Sequence, residues 1–66
     1  MEQVAIRLEK IASVCGRIGI SRSELYRRLQ SGSFPRPVQL GTRAVAWDSR
    51  EVDGYIESLL AARWSP

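Results

Sequence analysis

A mainly α-helical fold carrying a small β-hairpin is the class this sequence predicts, and three patterns predict it. Two stretches open with a capping residue followed three places later by Glu, namely Ser21 with Glu24 and Asp48 with Glu51. Gly19 and Gly32 bracket the first of these stretches, where a chain must turn sharply or close a helix. Between Val38 and Trp47, apolar residues recur with period two on either side of Gly41. Sixty-six residues make room for one domain, spanning 1–66. A chain this short buries only about 60% of its unfolded surface, so well-formed turns and helix ends matter.

The elements follow in order. Val4 to Leu8 alternates well enough for an extended start, although Val4, Leu8, Ile11, Cys15 and Ile18 also fit a helical stripe. A short helix is expected near Ala12–Arg17, offering Val14 to the core, with Gly16 weakening it by roughly 1 kcal/mol relative to Ala. Gly19 supplies the turn into a second helix. There Ser21 is the N-cap, Glu24 completes a capping box, and Ile20 with Leu25 forms a hydrophobic staple. At 100° per residue Leu25 and Leu29 point inward. Ser23, Arg27 and Gln30 then point outward, with Tyr26 and Arg28 on the flanks. Helix, glycine turn and capped helix form a helix-turn-helix candidate.

Phe34-Pro35-Arg36-Pro37 cannot be helix interior, because each proline removes a donor and restricts its predecessor. A rigid connector fits. Val38-Gln39-Leu40 and Ala44-Val45-Ala46-Trp47 read as a hairpin around Gly41-Thr42-Arg43, with Val38, Leu40, Val45 and Trp47 on one face and Arg43 at or beside the tip. This hairpin is the expected wing. A last helix follows from the Asp48 cap to about Ala62, stapled by Trp47 and Val52. Val52, Ile56, Leu59 and the stem of Arg63 form its stripe, widened by Tyr55 and Leu60, and Gly54 is a mild cost within it. Its acidic surface of Glu51, Asp53 and Glu57 is expected to face away from any polyanion. Ser65-Pro66 is expected to fray.

Composition narrows the function classes. The single Cys15 makes no internal disulfide and reads as a buried structural thiol. With no His and no Cys cluster, neither a metal site nor a cofactor is expected. Glu24 and Glu51 are explained as capping residues, and no phosphate loop appears, so an enzyme is poorly supported. No apolar run approaches membrane-spanning length, and Met1-Glu2-Gln3 does not begin a signal peptide, so the expectation is a cytoplasmic protein without membrane contact.

The charge is uneven. Residues 17–43 hold six Arg against Glu24 alone, a net of +5, whereas the remainder holds four cations against six carboxylates, a net of −2. A basic middle between mildly acidic ends points to a face turned toward a polyanion. Nine of the ten cations are Arg, whose planar fork suits phosphates and guanine edges. Arg22 opposes the dipole of the helix it opens, a local violation that a nearby phosphate would explain. Ser23 and Arg27 stand where a recognition helix meets base edges, and an Arg27–guanine pair is worth about 1–3 kcal/mol of discrimination. Tyr26 suits a phosphate, a thymine methyl or flank packing. Arg28 and Arg36 suit phosphates, and Arg43 the backbone or minor groove beside the wing. Trp47 reads as core rather than as a stacking platform. An amphipathic helix with a solvated face satisfies much of the same pattern.

Taken together, Gly19-Ile20-Ser21-Arg22-Ser23-Glu24-Leu25-Tyr26-Arg27, Gly32-Ser33-Phe34-Pro35-Arg36-Pro37-Val38 and Leu40-Gly41 with Arg43-Ala44-Val45-Ala46-Trp47 closely resemble the AlpA family. These are small prophage-associated regulators of the MerR-like, excisionase-like winged helix-turn-helix type. The resemblance runs from about Ile11 to Ala62. It implies a second helix in the major groove and a hairpin on the flanking backbone, with the family's Ser-Arg-Ser/Thr-x-x-Tyr-Arg signature falling on Ser21, Arg22, Ser23, Tyr26 and Arg27. Ala12-Ser13-Val14 departs from the family's frequent Lys-Glu-Val, and Tyr55 replaces its usual Trp.

The expected function is sequence-specific binding of double-stranded DNA by a phage or mobile-element transcriptional regulator controlling integrase or excision. An excisionase-type directionality factor that bends DNA and recruits integrase would use the same residues. From a different class, an adaptor or inhibitor could set its basic face on an acidic partner. Integrase, RNA polymerase and further copies of the chain, as a homodimer or cooperative oligomer on DNA, are the protein partners to weigh. Leu59, Leu60 and Trp64 stand either in such an interface or in the core.

Overall fold

A computed structural model describes residues 6–63. The expectations for Val4-Ala5, for Trp64 and for a frayed Ser65-Pro66 lie outside these residues. Within them the order is β1 (Leu8–Glu9), α1 (Ile11–Ile18), α2 (Arg22–Ser31), β2 (Val38–Gln39), β3 (Val45–Asp48) and α3 (Ser49–Ala61). The extended start and the hairpin join into one antiparallel sheet of order β1-β3-β2, so the β layer has three strands rather than two.

Helix ends form where the side chains dictate. Gly19 closes α1 in the left-handed region (φ 83°), donating to the Cys15 carbonyl at 2.7 Å. Gly32 closes α2 in the same way (φ 80°), and Ser33 N–H reaches the Arg28 carbonyl at 3.0 Å. Ser21 Oγ accepts from Glu24 N–H at 3.1 Å, and Asp48 Oδ1 accepts from Arg50 N–H at 2.9 Å. Both capping boxes are nevertheless one-sided, which corrects the expectation. The Glu24 carboxylate turns to Arg27 and Arg28 instead of to Ser21 N–H. Glu51 is exposed and makes no return bond among the described residues. An Arg donor competes successfully because a pair charged on both sides adds direct Coulomb attraction to the hydrogen bond, which a neutral N–H lacks.

The buried cluster is Val14, Cys15, Leu25, Phe34, Trp47 and Val52, with Ile11, Ile18, Ile20, Leu29, Val45, Tyr55 and Ile56 against it. Both expected staples lie inside this core. Trp47 is fully buried, and its Nε1 donates to the Pro35 carbonyl at 2.8 Å, which satisfies the indole N–H. Phe34, expected only as connector, is buried edge-on between Trp47 (6.1 Å) and Tyr55 (4.6 Å).

The hairpin differs from expectation in one respect. Its register pairs Val38 with Ala46 and Gln39 with Val45, and Leu40 N–H reaches the Ala44 carbonyl across the loop. Across a three-residue loop, residues of like parity stand opposite one another. Val45 and Trp47 therefore face the core, with Gln39 on the same side of the hairpin but exposed, while Val38 and Leu40 face the other way and are 44% and 48% exposed. Along α3 the apolar stripe also outruns the core: Leu59 and Leu60 remain exposed rather than closing it. Helix α1 packs on α2 and on β3, and α3 packs on β3. Three helices over a small antiparallel sheet, with α1–α2 as the helix-turn-helix and β2–β3 as the wing, make a winged helix-turn-helix.

Candidate nucleic-acid interface

Helix α2 presents the residues the sequence singled out. Its buried side carries Leu25, with Leu29 half-buried behind it, which fixes the rotation of the helix. On the opposite side Ser23, Arg27 and Gln30 are exposed, and Tyr26 is exposed on the flank. Ser21 caps the helix and Arg22 opens it, also exposed. Beyond α2, Arg36 stands exposed in the proline-rich connector and Arg43 in the loop of the wing. Arg22, Arg36 and Arg43 make no ion pair among the described residues.

Arg27 and Arg28 share one carboxylate. Arg27 Nη1 donates to Glu24 Oε1 at 2.9 Å, and Arg28 Nε donates to Glu24 Oε2 at 3.0 Å. Arg28 also donates through Nη1 to Tyr55 Oη of α3 at 2.7 Å. The bond to Glu24, then that to Tyr55, raises the Arg28 guanidinium above the usual arginine range. Of the two, only Arg27 projects; 74% of its side chain is exposed, against 28% of that of Arg28.

Arg17, counted in the basic middle, belongs to another part of the molecule. Glu9 sits on the core side of β1 opposite Trp47, nearly buried, and receives Ser13 Oγ at 3.2 Å and Arg17 Nη1. Arg17 Nη2 reaches Asp53 of α3. The Asp53 bond is the largest cause that raises the Arg17 guanidinium. One cation thus closes β1, α1 and α3 together, and the charge near the wing is smaller than the count along the chain. The pairing of Glu24 with Arg27 and Arg28 is missing from the sequence expectations, which give Glu24 to capping alone, though helical spacings of three and four carry the signal. No sequence signal announced the Tyr55 or Asp53 contacts, which span 27 and 36 residues.

The family model described as prophage CP4-57 regulatory protein (AlpA) matches residues 6–60. The chain belongs to the AlpA family. It is also similar to the ORF88 protein of enterobacteria phage P4, with 34% identity over 58 residues, 88% of this chain and 62% of that protein. The chain thus spans less than two thirds of the length of this phage relative. No solved structure matches. The family match covers every element from β1 to all but the last residue of α3. Among the described residues no helix is long and apolar enough to cross a membrane, and no group of three metal-ligating side chains occurs.

Proposed function

We propose that this AlpA-family chain, as a single domain over 1–66, binds double-stranded DNA sequence-specifically and regulates transcription at a phage or mobile element, in the bacterial cytoplasm and on the nucleoid. One observation carries the reading. The helix after the glycine turn buries Leu25 and leaves Ser23 and Arg27 exposed on its opposite side. Laid in the major groove, α2 offers Ser23 and the projecting Arg27 fork to base edges, and Arg27 pairs with guanine O6 and N7. Ser21 and Arg22 at the start of α2 meet a phosphate, with Tyr26 beside them. Arg36 and Arg43 hold the flanking backbone from connector and wing. Arg28 adds only what its bonds to Glu24 and Tyr55 leave over.

A single module of this size covers roughly 600–1,000 Å², so tight binding needs a homodimer or cooperative neighbours. Control of integrase expression and assistance in excision draw on the same surface, with RNA polymerase or integrase as the respective protein partner. Footprints at a promoter support the first, and tandem sites at an attachment sequence support the second.

The test is selection of bound duplexes from a random pool, followed by titration of the selected and scrambled sequences. Three or four phosphate contacts predict a log–log salt slope of about −2.7 to −3.6. Arg27→Ala should weaken binding to the selected sequence by about 5- to 150-fold, the equivalent of a lost Arg–guanine pair, and to the scrambled one far less. Equal losses would remove Arg27 from base reading. Absence of any duplex binding at about 50 mM salt, where phosphate contacts are strongest, would overturn the proposal.

A further inference from the structure

The Glu24 carboxylate is occupied on both oxygens, and the bonds continue into the core. Oε1 holds Arg27 and Oε2 holds Arg28, while Arg28 in turn donates to Tyr55 Oη. The Tyr55 ring packs edge-on against Phe34 at 4.6 Å, and Phe34 against Trp47. A continuous brace therefore runs from the fully buried indole through α3 to the exposed fork of Arg27. An exposed pair three residues apart on a helix adds little to stability. Its consequence lies elsewhere. With Nη1 directed to Glu24, the remaining donors of Arg27 are presented in a restricted set of orientations, so less rotamer freedom is lost when they meet a base.

We infer that Glu24 is a specificity-determining positioning residue, held in place by Arg28 and Tyr55, which orients Arg27 for the base it reads. This rests on the reading of Arg27 as the base-contacting residue. Glu24 does so at an electrostatic cost, because its carboxylate stands on the helix that approaches a polyanion. Two opposed effects follow from neutralising it: binding to any duplex strengthens, and discrimination between duplexes falls. A residue that merely stabilised the fold would weaken both bindings together.

The experiment uses the full chain, a duplex that it selects from a random pool and a scrambled duplex of the same composition. Glu24→Gln should tighten scrambled-duplex binding while lowering the selected-to-scrambled affinity ratio about three- to tenfold, the range expected for one side chain no longer held. Tyr55→Phe keeps the ring against Phe34 and should lower the ratio about twofold, as loss of one hydrogen bond further from the base would do. In the free protein, ¹⁵N relaxation of Arg27 Nε should show greater mobility in both variants, with melting temperatures near that of the parent. If Arg27→Ala lowers the ratio but Glu24→Gln and Tyr55→Phe do not, the brace is overturned and base reading stands. If Arg27→Ala leaves the ratio unchanged, base reading falls and the brace falls with it.

Discussion

Arg17 on α1 has 31% of its side chain exposed and gives its two terminal nitrogens to Glu9 and Asp53, whereas Arg27 on α2 is 74% exposed and gives one nitrogen to Glu24. The carboxylates around Arg17 come from a strand and a helix elsewhere in the chain, and one of them is nearly buried on the core side of the sheet. The carboxylate beside Arg27 comes from its own helix and leaves the fork in solvent. The first region uses positive charge to close a fold; the second leaves it available to an anion. Arginine content therefore says where cations are plentiful, and only the surrounding acids say which of them are available.

The largest test of that contrast is Arg17→Ala. It strips the charged partner from a nearly buried Glu9, leaving only Ser13 to satisfy it. Leaving a nearly buried acceptor short of its partner costs about 1–3 kcal/mol, a large share of the roughly 3–10 kcal/mol that a chain of this length holds. Arg27→Ala, by comparison, should alter stability by no more than about 0.5 kcal/mol. Urea denaturation of both variants compares them directly, and similar losses would erase the distinction. Adding Glu9→Gln to Arg17→Ala sharpens it, because a neutral amide is cheaper to leave half-satisfied than a carboxylate. Recovery locates the value of Arg17 at Glu9; no recovery moves it to Asp53.

The same contrast explains what was legible beforehand. Local signals carried far: Ser21, Gly19, Gly32 and Asp48 terminate helices because each acts on backbone within a few residues of itself. The staples held for the same reason. Pattern failed where two answers had equal hydrophobicity. Val38 and Leu40 are as apolar as Val45 and Trp47, and only the count of residues across the loop shows that the pairs face opposite ways. Phe34 looked like connector because its neighbours are prolines, yet it fills the space between Trp47 and Tyr55. The exposed side of α2 follows from period alone, so the placement of Ser23 and Arg27 could be read directly. The partners of Arg17 and Arg28 arrive from α3, and no periodicity encodes them.

Smaller effects come from the two N-caps, one in each region. Ser21→Ala removes the acceptor for Glu24 N–H at the start of α2 and should cost about 1 kcal/mol. Because Ser21 does not titrate, that loss should be the same at pH 3 and pH 7 when measured by thermal melting. A loss that changed with pH would mean that the capping bond depends on the charge of Glu24.

Asp48 makes the opposite prediction. Its carboxylate accepts from the Arg50 side chain and from Arg50 N–H, and these bonds, the side-chain one foremost, hold it below the usual carboxylate range. Since the folded value lies below the unfolded one of about 3.9, the unfolded chain takes up the proton first. The stabilisation is therefore complete above that pH and is lost as pH falls through the folded value. Asp48→Asn keeps a capping oxygen but cannot titrate. The stability gap between the parent and Asp48→Asn should be widest near neutrality and narrow below about pH 4. A gap that stays constant down to pH 2 would show that the N–H bond alone, without the charge shared with Arg50, makes Asp48 a cap of the same kind as Ser21.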